Sequence, residues 1–154
     1  MKWKAGAGIE RVNTYDLVML AQKVANQQGT TTVQSWVLPQ GLWWKVNTVS
    51  VQLDATNATT AIPVSLEATN PAFASVIAVP LTTILPLTFD GVVVIGRGLD
   101  TKNNLTAFNV TAPWPDMWLA PGTTVTLRIG TVVGFVVAQN TTLWAEGAEL
   151  VQYK

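Results

Sequence analysis

Apolar residues recur along this chain with two different periods. Between Asn13 and Gln28, Leu17, Leu20, Ala21 and Val24 follow helical spacing. Asn13 and Thr14 can cap the amino end, Asp16 suits the positive pole of the dipole, and Gly29 can close the last turn. The spacing predicts one short helix over residues 13–28, either plugging an end of the core or reaching onto a neighbouring subunit. Residues 1–12 carry Gly and Lys and one large anchor, Trp3, which is too little apolar surface to pack alone. They read as an extended N-terminal arm.

From Gly29 onward the period shortens to two and β-branched residues dominate. Val33 to Leu38 and Leu42 to Leu53 read as strands parted by the turn Pro39-Gln40-Gly41. Within the second, Leu42, Trp44 and Val46 share one face, whereas Val49, Val51 and Leu53 share the other. The apolar phase therefore flips near Asn47, which implies a bulge or a strand leaving one core for another contact. Ile62, Val64 and Leu66 alternate with Pro63, Ser65 and Glu67, and the proline points to an edge strand. Val76 to Leu81 and Ile84 to Leu87 follow, with Pro80 and Pro86 at edges or bends. Asp90-Gly91 is a hairpin signal ahead of Val92 to Ile95, an apolar run suited to burial on both faces.

Leu105 to Val110, Met117 to Ala120, Thr123 to Ile129, Val132 to Ala138 and Thr142 to Tyr153 complete the series, with Gly134 marking a bend or a close backbone approach. Val125, Leu127 and Ile129 alternate most cleanly with polar neighbours. Roughly eight to ten strands at this spacing, with no solenoid-length repeat, predict a jelly-roll-like two-sheet β-sandwich over residues 29–154. The whole chain is expected to be all-β apart from the arm and the one helix.

Charge narrows the function more than length does. The 154 residues hold nine Lys and Arg against nine Asp and Glu, so only 12% are charged, where about 25% is usual for soluble chains. Zero net charge gives no long-range pull on phosphate, so nucleic acid is not an expected partner. The mean hydropathy of +0.31 and 49% apolar content suit a surface partly covered by sister subunits. No membrane span is read: the long uncharged stretch Ala68 to Phe89 is broken by Pro71, Pro80 and Pro86. The segment Met1 to Arg11 has no continuous apolar core, so no signal peptide is read either.

Cysteine and histidine are both absent, which removes disulfides, thiolate or imidazole metal sites and Ser-His-Asp machinery. Paired carboxylates are the remaining catalytic option, but Asp54, Glu67, Asp90, Asp100, Asp116, Glu146 and Glu149 are scattered over turns and outward strand positions. Asp100 to Asn104 and Asp54 to Asn57 lack the ligand density of a calcium loop and read as turn chemistry. The expectation is a non-enzyme with no cofactor. Tryptophan is the abundant specialised residue, seven in number. Indoles fill cores, anchor interfaces or stack on sugars. Trp43 and Trp44 must point to opposite faces of a strand, so at most one joins a given core.

The arm Met1 to Val12, the predicted helix Asn13 to Gln28, the Thr- and Val-rich sandwich and the closing run Trp118-Leu-Ala-Pro-Gly-Thr-Thr-Val-Thr-Leu give the chain its likeness. It resembles virion structural proteins, especially the capsid decoration (cement) proteins of tailed bacteriophages, and is similar in size and neutrality to auxiliary capsid proteins of thermophilic siphophages. The resemblance implies a homotrimer on the exterior of a phage capsid, with the major capsid protein as partner and the arm clasping the shell or the next trimer. Trp3, Trp43, Trp44, Trp114 and Trp118 are the candidate contact anchors. The alternatives are a glycan-binding module with a row of exposed Trp, as in a fibre tip or lectin-like domain, or a single jelly-roll major capsid protein. For the last, packaging RNA calls for a more basic arm than Lys2, Lys4 and Arg11 provide.

Overall fold

The structure is a computed structural model that describes residues 9–21, 24–26, 29–58, 62–72, 75–80, 85, 89–104, 109–132 and 134–152. Alternation builds its strands. In β5 (Val64–Asn70) every second residue is buried, so Val64, Leu66 and Ala68 line the core while Ser65, Glu67 and Thr69 face outward. The same period runs through β10 (Thr124–Val132), where Val125, Leu127 and Ile129 are fully buried as expected.

The remaining strands are β1 (Ile9–Ala21), β2 (Val24–Asn26), β3 (Gly29–Val37), β4 (Trp43–Ala58), β6 (Ser75–Pro80), β7 (Asp90–Arg97), β8 (Lys102–Asn104), β9 (Asn109–Trp114) and β11 (Gly134–Gln152). They form two sheets. The larger has seven strands in the order β1-β11-β4-β7-β9-β8, with β2 also paired to β11; the smaller runs β3-β10-β5-β6. One apolar cluster draws on both, including Val49, Leu53, Ile95 and Leu143 from the larger sheet and Val33, Leu66 and Leu127 from the smaller. The described chain is therefore all-β, two sheets closed over a single core. One pair, β7 with β9, runs parallel, which departs from the antiparallel pattern of a jelly roll.

Two of the three register shifts between β4 and β11 keep the long strands registered with the core. Trp144 pairs with Thr48 while Ala145 pairs with Val46, so Asn47 is the extra residue. The phase flip read at Asn47 is this bulge: Trp44 and Val46 are buried before it and Val49, Val51 and Leu53 after it. A second flip occurs in β11. Gln139 pairs with Gln52 and Thr142 with Ser50, leaving two residues opposite Val51. Asn140 takes the left-handed φ of 52° there, and burial passes from Val136 and Ala138 to Thr141, Leu143 and Ala145. What the sequence suggested as two strands is one bulged strand.

The helix expected over 13–28 is corrected. Residues 9–21 form β1, antiparallel to β11, and 24–26 form β2. The apolar positions 17, 20, 21 and 24 fall on both faces of a strand, so alternation is masked and a helix-like spacing is left, whereas the edge of β11 supplies the hydrogen bonds that make the segment a strand. The arm is corrected in part: residues 9–12 belong to β1, and 1–8 lie outside the described residues. Three smaller expectations also change. β5 is interior, between β10 and β6, because Pro63 precedes it rather than interrupting it. Asp90-Gly91 lies within β7 opposite Asp54 and Leu53, not in a hairpin turn. β7 buries Val93 and Ile95 on one face and leaves Val92 exposed on the other.

Candidate functional site

Charge collects at one corner of the larger sheet. Lys45 on β4 and Glu146 on β11 are cross-strand partners, Arg97 ends β7, and Asp116 lies in the segment after β9. Lys45 Nζ donates to Asp116 Oδ1 at 2.7 Å, and Arg97 bridges Asp116 and Glu146, with 3.4 Å to each carboxylate. The Lys45 ammonium also sits 4.9 Å from the centroid of the Trp118 ring, a cation–π contact.

The backbone explains why these groups meet. Leu119 and Trp44 exchange two main-chain hydrogen bonds, of 2.6 and 3.0 Å, which tie the segment carrying Asp116 and Trp118 to the head of β4. Trp44 is locked in turn by Nε1 donating to the Pro39 carbonyl at 3.0 Å. Its ring lies over Gly147, where a Cβ would come within 2.5 Å of Cζ3.

The chemistry of this corner is cohesion. Asp116 is held below the ordinary aspartate value of 3.8, first by the Lys45 hydrogen bond, opposed by desolvation, then by the Lys45 and Arg97 charges and the Arg97 hydrogen bond. A glycosidase acid needs the reverse, a carboxyl whose pKa is raised so that it stays protonated. Among the described residues no group of three His, Cys, Asp or Glu side chains could hold a metal ion.

A different surface lies beside the corner. Across the outer face, Val18, Trp144, Thr48, Gly96 and Pro113 form one row of partners over five strands. Val18 is 58% exposed and Trp144 42%, and Leu20 along the same strand is 75% exposed. The inner row of β1, with Leu17, Met19 and Ala21, packs on the core but is only partly buried. Scattered exposed apolar side chains are ordinary, whereas neighbouring ones mark a contact surface.

The structure separates the candidate anchors. Trp44 and Trp114 are 3% and 2% exposed within the chain's own core, so neither offers a face to a partner. Trp43 is half-buried at the head of β4, Trp118 is half-buried against Lys45, and Trp3 lies outside the described residues. Val18, Leu20 and Trp144 were not singled out from the sequence. Val18 and Leu20 fall together on one face, opposite Leu17 and Met19, only when this segment is read as a strand. No protein-family model, curated protein or solved structure matches the chain.

Proposed function

We propose that this chain is a non-enzymatic virion structural protein, a capsid decoration (cement) protein of a tailed bacteriophage. It binds the major capsid protein on the outside of the shell and self-associates through its sandwich surfaces. One observation carries this reading: among the described residues four of the six large exposed apolar side chains, Tyr15, Val18, Leu20 and Trp144, lie on β1 and β11 of a sandwich that is poor in charge, while Lys45, Arg97, Asp116 and Glu146 pair with one another. An adhesive edge on a rigid body suits a subunit whose task is contact. Stabilisation of the shell follows from mass action, because a ligand that binds only assembled shell opposes disassembly. A homotrimer with a jelly-roll-related fold is the form that the resemblance implies.

Co-sedimentation with empty phage shells tests it. The full chain should pellet saturably with shells and raise their melting temperature. Removing residues 1–8 spares all of β1 and should weaken binding if the segment clasps the shell. Absence of binding to any shell rejects the proposal.

The glycan-binding alternative has a specific foothold in Trp118, a half-buried indole beside Asp116 and Lys45. The Lys45 ammonium occupies a face of that ring, so a sugar stacking there has to displace it. A glycan array read against Trp118→Ala discriminates: binding lost on substitution favours the module over the decoration protein.

A further inference from the structure

We propose that β1 is a self-docking edge, along which a second copy of this chain adds antiparallel across a two-fold axis at Met19. β1 ends the larger sheet, and among the described residues its only strand partner is β11. About the Met19 axis, residues 17–21 of each copy face one another over about 17 Å at ~3.4 Å per residue, along the edge that β11 leaves unpaired among the described residues. Natural edges are usually blunted by proline, charge or a bulge. From Thr14 to Ala21 the strand has no proline and one charge, Asp16, and its register shift lies earlier, between Arg11 and Asn13.

The occupant is a second copy because the strand is complementary to itself. With the axis at Met19, Val18 of each copy stands opposite Leu20 of the other on the outer face. Leu17 stands opposite Ala21 on the inner face, Met19 meets Met19, and Asp16 falls outside the apolar block. Val18, Leu20 and Trp144 on the outer face together expose on the order of 350 Å² per copy, within the range of the largest, often functional, patch on a typical monomer. Covering that area on both copies removes about 700 Å², which with the paired backbone is the size of a weak, concentration-dependent contact. Antiparallel addition continues the β1–β11 pairing, and an isologous contact closes on itself. On a lattice of trimers such a joint links neighbouring trimers in pairs.

The absence of cysteine makes the register directly testable. Val18 and Leu20 are exposed, so Val18→Cys and Leu20→Cys should leave the fold intact. On oxidation, a mixture of the two variants should form an interchain disulfide in high yield. Either alone should not, because like positions sit diagonally, beyond the ~7 Å Cα reach of a disulfide. Val37→Cys, exposed on the edge strand β3, serves as the control. By light scattering the unmodified chain should have an even-numbered mass that Leu20→Lys halves. The proposal is overturned by a monomer at all concentrations, by a mass indifferent to Leu20→Lys, or by equal cross-linking in the mixture and the control. It is likewise overturned if removing residues 1–8 creates the association, since that segment would then be the native cover. These readouts need no shell, so their failure is distinct from failure of shell binding.

Discussion

Val18 on β1 stands directly opposite Trp144 on β11, and both side chains keep a large exposed face. A cross-strand pair of this kind contributes about 0.2–1 kcal/mol within one chain, which does not repay leaving an indole in water. Trp144→Ala is therefore expected to cost at most about 1 kcal/mol in dilute protein. Its larger effect should appear at high concentration, where the unmodified chain gains stability by association and the variant does not. Urea melts at two concentrations a hundredfold apart check this. A midpoint independent of concentration in the unmodified chain removes the argument.

Gly96 packs against the bulge that turns β4. A Cβ there would lie 2.7 Å from the Asn47 carbonyl oxygen and 2.8 Å from Thr48 Cγ2. Backbone cannot step aside as a flexible side chain does, so Gly96→Ala should destabilise by about 1–3 kcal/mol. It should also disturb the ionic corner through its neighbour Arg97. Equilibrium unfolding measures the first effect. The second is read from the Glu146 and Asp116 side-chain resonances, and an unchanged midpoint would show that the bulge tolerates the methyl group.

The bulge at Asn47 was readable because the buried positions step from Trp44 and Val46 to Val49 and Val51, a change no straight strand allows. The sandwich core was readable for the same reason, as in Val125, Leu127 and Ile129. β1 was not. Leu17 and Met19 face inward while Val18 and Leu20 face out, so apolar residues on both faces erase the alternation and leave a helix-like spacing. The indoles failed differently. Composition says that Trp44 and Trp114 are large and apolar, but only Gly147 beneath the Trp44 ring and the Leu119 bridge beside it decide that the Trp44 indole turns inward. The ionic corner joins residues from four distant parts of the chain, a meeting set by strand order, which periodicity does not encode.

Asp116 gives a pH signature with a definite sign. Its folded pKa lies below the ordinary 3.8, with the Lys45 hydrogen bond as the leading cause. The charged pair therefore favours the folded state above the unfolded value, and this contribution fades as pH falls through the lowered folded value. Because the carboxylate is well exposed, salt screens the effect and the change in melting temperature is small. The direct measurement is a carboxyl titration by NMR. Lys45→Met should move the Asp116 midpoint up toward 3.8, and Arg97→Gln should move it less. An Asp116 midpoint at the ordinary value in the unmodified chain contradicts the hydrogen-bonded corner.

Asn140 sets the register of β11 through its backbone. Its φ of 52° is costly for residues with a Cβ, by roughly 1–2 kcal/mol, and asparagine is among the few that visit it routinely. The side chain adds a hydrogen bond, Nδ2 donating to Gln52 Oε1 at 3.1 Å across the pair of strands. Asn140→Ala loses both the conformational tolerance and that bond, and should destabilise by about 1–2 kcal/mol. Asn140→Gly loses only the exposed hydrogen bond and relieves the backbone, so its stability should return to within about 0.5 kcal/mol of the unmodified chain. Gln52→Ala isolates the side-chain contact and should cost about as little as the glycine variant. If alanine and glycine prove equally destabilising, the left-handed turn is not what moves burial from Ala138 to Thr141, and the hydrogen bond to Gln52 holds the register instead.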